Sequence, residues 1–106
     1  MNELVEWLVD SNPIAKWGIR RPLICCDGFQ MSVQTSALHY CAPQGVLGTW
    51  THVEIGSISI IEPLLWRYAE TPAEWTKLAA GGAVYPYVPI ELVAAIVELH
   101  GGIKNR

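Results

Sequence analysis

Alternating apolar and polar residues predict a β-hairpin early in the chain. Its strands span 21–26 and 29–35, and Asp27-Gly28 between them tolerates the positive φ angles of a two-residue turn. A two-residue turn fixes the register of the hairpin and pairs Arg21 with Gln34. Side chains alternate between the two faces of a strand, so one face of this hairpin is predicted to be apolar. That face consists of Pro22, Ile24, Cys26, Phe29, Met31 and Val33.

Two later segments extend the predicted sheet. Residues 51–56 alternate again, with Val53 and Ile55 expected to face the core. Residues 84–88 can be extended only as an edge strand, because Pro86 has no N–H to donate to a neighbour. The strands therefore predict one antiparallel sheet.

Helical spacing predicts helices before, between and after these strands. An N-terminal helix carries apolar residues at helical spacing until Ser11-Asn12-Pro13 interrupts the pattern. Two short helices fit 61–69 and 72–79. A last helix is opened by Pro89 and ended by Gly101-Gly102. The predicted fold class is α+β, with the sheet packed against the N-terminal, middle and C-terminal helices.

Composition supports one domain comprising residues 1–106, without a membrane span. Hydrophobic residues make up 51% of the chain and charged residues 16%, so we expect some apolar surface to meet a partner or a second copy of the chain. The net charge of −3 makes nucleic acid an unfavoured partner. The N-terminus carries acidic residues and no secretory pattern, and no apolar run reaches about 18 residues. These features predict a cytoplasmic protein.

The second face of the hairpin, with the 51–56 strand beside it, is the main candidate site. It offers hydrogen-bond donors and acceptors on rigid strands, although an ordinary solvated face has the same pattern. Trp17 and Trp50 flank it in predicted loops, where amphipathic rings often anchor contacts. Tyr85 and Tyr87 are expected nearby. The polar members of the face are Arg21, Gln30, Ser32, Gln34, His52 and Glu54.

The paired arginines before the hairpin have two alternative interpretations. A guanidinium of Arg20 or Arg21 can hold a carboxylate or phosphate through two parallel hydrogen bonds. The alternative is a salt bridge to Glu3, Glu6 or Asp10 on the first helix.

A zinc site is not expected from the cysteines. Cys25 and Cys26 lie near His39 and Cys41 in the sequence. Adjacent strand residues point to opposite faces, so the first two cannot ligate the same ion without a bulge. The odd number of cysteines, three, favours reduced thiols packed in apolar surroundings.

Enzymatic activity is also not expected. Ser36 with His39, or Cys41 with His39 and Glu54, could form a nucleophile and its base, but no nucleophile signature surrounds them. No glycine-rich phosphate loop is present in the sequence, and we expect no cofactor. A small enzyme that uses His39 or His52 with Glu54 stays as the third alternative for function.

Several motifs together resemble a group of small proteins encoded by tailed bacterial phages and prophages. The resemblance spans nearly the whole chain and includes no catalytic signature. It implies a protein that acts stoichiometrically in the bacterial host cell, by occupying a host protein or holding a small ligand. The motifs are WGIRRP at 17–22, DGFQMSVQTS at 27–36, HYC at 39–41, VEIG at 53–56 and YPYVPIELV at 85–93.

The resulting first hypothesis is a non-catalytic inhibitor that binds and blocks a host factor, such as one in antiviral defence. It would use the polar face and the loops of Trp17 and Trp50. The second hypothesis is a protein that sequesters a nucleotide-like ligand. There Arg20 or Arg21 would pair with a phosphate, and Tyr85, Tyr87 or Trp50 would stack on a base.

Overall fold

A computed structural model describes residues 2–11, 19–35, 41–42, 50–69 and 84–106. Within these ranges the chain forms a four-stranded antiparallel sheet with helices, which confirms the predicted α+β class. The order of the strands in the sheet follows their order in the sequence. The elements are α1 (Asn2–Asp10), β1 (Leu23–Ile24), β2 (Gln30–Gln34), β3 (His52–Gly56), a 3-10 helix (Pro63–Tyr68), β4 (Val84–Pro89) and α2 (Ile90–Leu99).

The core lies on one face of the sheet, against α1 and α2. Val53 and Ile55 are fully buried, as the alternation of β3 predicts. Fully burying a side chain of this size stabilises the fold by about 2 kcal/mol. The helices contribute their apolar stripes to the same cluster. Their buried members are Leu4, Trp7 and Leu8 from α1, and Ile90, Val93, Ile96 and Val97 from α2.

The hairpin differs from its prediction by one residue of register. Gly28 N–H donates to Cys25 O over 2.9 Å, and Cys25 N–H donates to Phe29 O over 2.8 Å, so three residues form the loop. Gly28 has a φ of 96°, the left-handed conformation that follows a type I turn in such loops. Asp27 stabilises this turn, because its Oδ1 accepts from Phe29 N at 2.9 Å.

The slip reverses the predicted faces of β1. Leu23 pairs with Met31 instead of Ser32, and both side chains are fully buried. Cys25 is buried as well, whereas Pro22 and Cys26 are exposed. The predicted apolar face is therefore wrong for the first strand of the hairpin. It is correct for the second, where Phe29, Met31 and Val33 are all buried.

The outer edge of β1 is covered by the segment 102–105. Lys104 N–H donates to Ile24 O over 2.7 Å, and Cys26 N–H donates to Gly102 O over 2.9 Å. The side chain of Asn105 completes the edge, with its Oδ1 accepting from Ile24 N at 2.8 Å. Backbone groups that an edge strand would leave unpaired are thus satisfied within the chain.

The middle and last elements follow the prediction in part. The segment predicted as a helix at 61–69 is a 3-10 helix, introduced by Pro63 and capped by Glu62. Strand β4 lies at the sheet edge, as Pro86 requires, and leads directly into α2. The helix predicted at 72–79 lies outside the described residues. No helix in the described part of the chain is both long enough and apolar enough to span a bilayer.

Candidate binding face of the sheet

Five polar residues of the predicted site lie on the outward face of the sheet, the side opposite the core. The pairing of β2 with β3 sets Gln34 opposite Glu54. His52 lies two residues from Glu54 on the same strand face, and Ser32 has the same relation to Gln34. Gln30 is exposed at the start of β2, while His52, Glu54 and Ser32 are half-buried. The sheet therefore brings these side chains together, and their role in binding stays a prediction.

Gln34 is buried beneath the outward face and holds neighbouring residues through hydrogen bonds of its side chain. Its side chain is buried, and its Nε2 donates to Ser32 Oγ at 2.8 Å and to Arg20 O at 3.1 Å. Its Oε1 accepts from Arg20 N at 2.8 Å. These three bonds fix the amide, so Gln34 positions its neighbours and offers little surface to a ligand.

Arg20 is a buried connector between α1 and the end of β2. Its Nε and Nη2 donate to Leu8 O over 3.1 and 2.9 Å, and its Nη1 donates to Thr35 O over 3.0 Å. The guanidinium carbon also lies 5.2 Å from the centre of the Trp50 ring. Burial lowers the pKa of Arg20 to about 10, which still leaves it charged at neutral pH. With 3% of its surface exposed, Arg20 does not present the anion-binding fork suggested by the sequence.

Arg21 lies away from the outward face, contrary to the predicted pairing with Gln34. Its guanidinium carbon is 5.2 Å from the centre of the Trp7 ring, and its Nη2 donates to Asn105 O over 3.2 Å. The cause is the one-residue slip of the hairpin, which places Arg20 opposite Gln34. Arg21 is exposed and contacts α1 and the 102–105 segment.

The two tyrosines of β4 differ in burial: Tyr85 is buried and Tyr87 is exposed. Tyr85 pairs with Ile55 and is buried in the core, so its predicted place beside the polar face is wrong. Burial raises the pKa of Tyr85. A β-bulge follows, because Val53 and Ile55 pair with residues three apart on β4. The bulge turns Tyr87 outward, opposite Glu54, with 48% of its surface exposed and a φ of 51°.

The tryptophans predicted to flank the face do not both reach it. Trp50 is buried, with 7% of its surface exposed, and packs on Arg20 within the core cluster. It therefore supports the face and does not offer an exposed ring. Trp17 lies outside the described residues, as do Ser36 and His39 of the alternative catalytic sets.

His52 is held by its neighbour in the chain. Its Nδ1 lies 2.9 Å from Thr51 Oγ1, and its side chain is half-buried on the outward face. The backbone at this point is fixed from two sides. Thr51 O accepts from Ile90 N at 2.9 Å, and His52 O accepts from Ala42 N at 3.1 Å. The His52 ring thus has a defined position beside Glu54.

Cys25 and Cys26 point to opposite sides as predicted, but the prediction that the cysteines pack in apolar surroundings is wrong for Cys26. Cys25 is buried and Cys26 exposed, so the two thiols point to opposite sides. Burial, with a smaller contribution from Asp27, raises the pKa of Cys25 to about 11, which makes it a poor nucleophile and ligand. Cys41 is also buried as a free thiol. Among the described residues, no group of three histidine, cysteine or acidic side chains could hold a metal ion.

A second polar cluster, which sequence reasoning missed, lies at the hairpin turn. His100 Nδ1 is 2.6 Å from Asp27 Oδ2, and its Nε2 is 3.0 Å from Glu62 Oε1. Phe29 stacks on the imidazole with ring centres 4.2 Å apart. We call Asp27, His100 and Glu62 the His100 bracket. Its members are 38 and 73 residues from His100 in the sequence, so no local pattern could indicate it.

The pKa values of His100 and Asp27 are shifted in opposite directions. Burial alone would lower the pKa of His100, but the hydrogen bonds to Glu62 and Asp27 outweigh it and raise the pKa above its ordinary value. The pKa of Asp27 is lowered, first by the bond from Phe29 N and then by His100. The charged forms of both groups are therefore favoured in the folded protein.

Comparisons with protein-family models, curated proteins and solved structures found no match to this chain. The resemblance to small tailed-phage proteins therefore stays a prediction. The outward face and the His100 bracket are the two features of the described structure that bear on function.

Proposed function

We propose that this protein is a non-catalytic inhibitor that binds and blocks a partner protein through the outward face of the sheet. The partner is a factor of the bacterial host, such as one in antiviral defence, and the site of action is the host cytoplasm. The resemblance to phage proteins supports the context, and the arrangement around Tyr87 supports the binding face.

The conformation of Tyr87 is the observation that carries this proposal. A left-handed backbone costs a residue other than glycine about 1 kcal/mol. Tyr87 adopts it at a bulge, with about half of the residue's surface exposed to solvent. Such local strain concentrates at functional sites, where the fold holds a side chain in a required position. An exposed tyrosine is also a residue that interfaces favour.

The neighbours of Tyr87 suit a protein partner better than a nucleotide. Half-buried Glu54 lies across from the bulge, and half-buried His52 and Ser32 lie on the same outward face, so donors and acceptors are held on fixed strands. Of the two arginines suggested for a phosphate, Arg20 is enclosed by backbone carbonyls and Arg21 lies on Trp7. Trp50 does lie beside Arg20, but both side chains are buried, so this pair is not presented to a nucleotide.

The test separates the Tyr87 ring from its backbone strain. Tyr87→Asn removes the ring and tolerates the left-handed conformation. Ser57→Asn is the matched control, because Ser57 has a similar φ of 47° and lies outside the bulge. Both variants and the wild type are immobilised and exposed to a bacterial lysate, and captured proteins are quantified by mass spectrometry. The captured candidate is then purified and titrated against each variant.

We expect one host protein to be captured by the wild type and by Ser57→Asn, with its affinity reduced at least tenfold by Tyr87→Asn, as for a residue at the centre of an interface. Unchanged affinity of Tyr87→Asn for that protein contradicts the proposed face.

Melting the protein with linear and cyclic nucleotides tests the second hypothesis. A ligand at 100 times its Kd raises the free energy of unfolding by about 2.7 kcal/mol. We expect no nucleotide to shift the melting temperature.

A further inference from the structure

The two hydrogen bonds of the His100 bracket need two N–H donors, and a neutral imidazole has only one. Both ring nitrogens lie within hydrogen-bond distance of a carboxylate oxygen, at 2.6 Å for Asp27 and 3.0 Å for Glu62. An ionised carboxylate only accepts hydrogen bonds, and a neutral imidazole has a single N–H to donate. With both carboxylates ionised, the observed geometry therefore requires the imidazolium form of His100.

We propose that the His100 bracket is a proton-controlled latch, which holds the start of the 3-10 helix against the hairpin turn and releases Glu62 when His100 loses its proton. The three residues come from three different parts of the fold. Asp27 belongs to the hairpin turn, Glu62 caps the 3-10 helix, and His100 caps α2. The proton on one ring thus joins elements that are distant in the sequence.

Glu62 is the carboxylate that we expect to leave the ring when His100 loses its proton. Its bond to the ring is the longer of the two, and only 10% of its side chain is exposed, compared with 50% for Asp27. Asp27 remains solvated when it faces a neutral ring, and its Oδ1 keeps the bond from Phe29 N. Among the described residues, His100 is the one cation paired with Glu62. Beside a neutral ring, Glu62 would be a carboxylate with little solvent and no such partner, which favours its movement into water.

Release of Glu62 acts directly on the 3-10 helix. Its Oε2 accepts from Leu64 N at 3.2 Å, and its backbone O accepts from Leu65 N at 3.0 Å. These two amides are therefore local reporters of the latch. Among the described residues, the titratable groups that face the ring are Asp27 from the hairpin and Glu62 from the 3-10 helix, while Phe29 covers one ring face.

The same geometry argues against a catalytic role for His100. A general base or a metal ligand needs a ring nitrogen that can reach the substrate or the ion. Here each nitrogen is engaged by a carboxylate. The bracket is consequently a conformational device, independent of the partner that the outward face binds.

The test follows hydrogen exchange and NMR shifts of the wild-type protein from pH 5 to 9. Protection factors of the Leu64 and Leu65 amides are compared with the titration of the His100 ring protons. We expect protection to fall about tenfold as the ring deprotonates, which is the change expected for loss of one charge-assisted hydrogen bond. Amides of β3 serve as the internal reference and keep their protection.

Two histidine variants identify the ring responsible. His52→Asn leaves the bracket intact, and we expect it to retain the loss of protection. His100→Asn removes the titrating group, so protection at Leu64 and Leu65 no longer depends on pH through this range. The wild-type titration decides the matter if His100→Asn does not fold. Protection that stays constant while the His100 ring titrates overturns the proposal.

Discussion

Two polar clusters join distant segments of this protein, and they do so with different chemistry. The Arg20 junction consists of Arg20, its backbone partners Leu8 O and Thr35 O, and the Gln34 amide. The His100 bracket joins its segments through two carboxylates. The first cluster uses a cation on neutral acceptors, and the second uses a titrating cation between two anions.

The Arg20 junction is therefore expected to hold its segments together throughout the physiological pH range. The His100 bracket is expected to do so only while the imidazole is charged. A guanidinium with a pKa of about 10 keeps its charge throughout the physiological range. An imidazole loses its charge within or near that range, even when its pKa is raised. We therefore expect the junction of α1 with β2 to be insensitive to pH. The junction of the 3-10 helix with α2 is expected to respond to it.

The largest effect is expected from Arg20→Met, which breaks the first cluster. The methionine fills much of the volume but leaves the carbonyls of Leu8 and Thr35 buried without their donors. We expect the free energy of unfolding to fall by about 3 kcal/mol, measured by urea denaturation. Arg21→Met is the matched control on the exposed neighbour and should change it by less than about 1 kcal/mol. Equal losses for the two variants would contradict the assignment of Arg20 as the connector.

A smaller effect is expected from Glu62→Gln, which weakens the second cluster without removing the atoms of the side chain. The charge on one side of His100 is lost, although the amide oxygen still accepts from Leu64 N. We expect a loss on the order of 1 kcal/mol at pH 6 that becomes smaller at pH 9. Glu91→Gln, at an exposed position of α2, is the control. If the loss of stability did not depend on pH, the contribution of Glu62 would not be linked to the protonation of His100.

The smallest effect is the pH dependence of the wild-type melting temperature. His100 has its folded pKa above 6.5, so its contribution is complete below pH 6.5 and is lost as the pH rises through the folded value. Asp27 has its folded pKa below 3.8, so its contribution is complete above pH 3.8 and is lost in stronger acid. Calorimetry should therefore show a melting temperature that decreases from pH 6 to 9 in the wild type.

His100→Asn provides the comparison for the alkaline side of this profile. Its melting temperature should start lower at pH 6 and decline less towards pH 9. Arg20→Met, in contrast, should retain the wild-type slope at a lower temperature. A parallel decline in wild type and His100→Asn would place the titrating group elsewhere in the molecule.

The sequence predicted the fold class because the alternation in β2 and β3 is strong enough to specify which side chains are buried. It failed at β1 because Asp-Gly is compatible with both a two-residue turn and a three-residue loop. The five residues before that turn, Pro22 to Cys26, are nearly all apolar and allow either face to be buried. Contacts with the 102–105 segment and with Met31 favour the observed register.

The candidate site was predictable only where it depends on alternation. His52 and Glu54 share a strand face, and that arrangement follows from the period of two along β3. The orientation of Tyr87 depends on a bulge, and the burial of Arg20 depends on the end of α1. Neither has a local signature in the sequence. The His100 bracket is still less visible, since its three residues meet only in the completed fold.

The covered edge of β1 sets an order of events during synthesis. Its two-residue ladder with β2 is short, and the partners on its other side, Gly102 to Asn105, are separated from it by about eighty positions. Contacts of such long sequence separation form late, because closing the intervening loop costs entropy before they can contribute. The outer edge of β1 can therefore be covered only after residues 102–105 have been synthesised. Native structure in β1 should appear last among the strands.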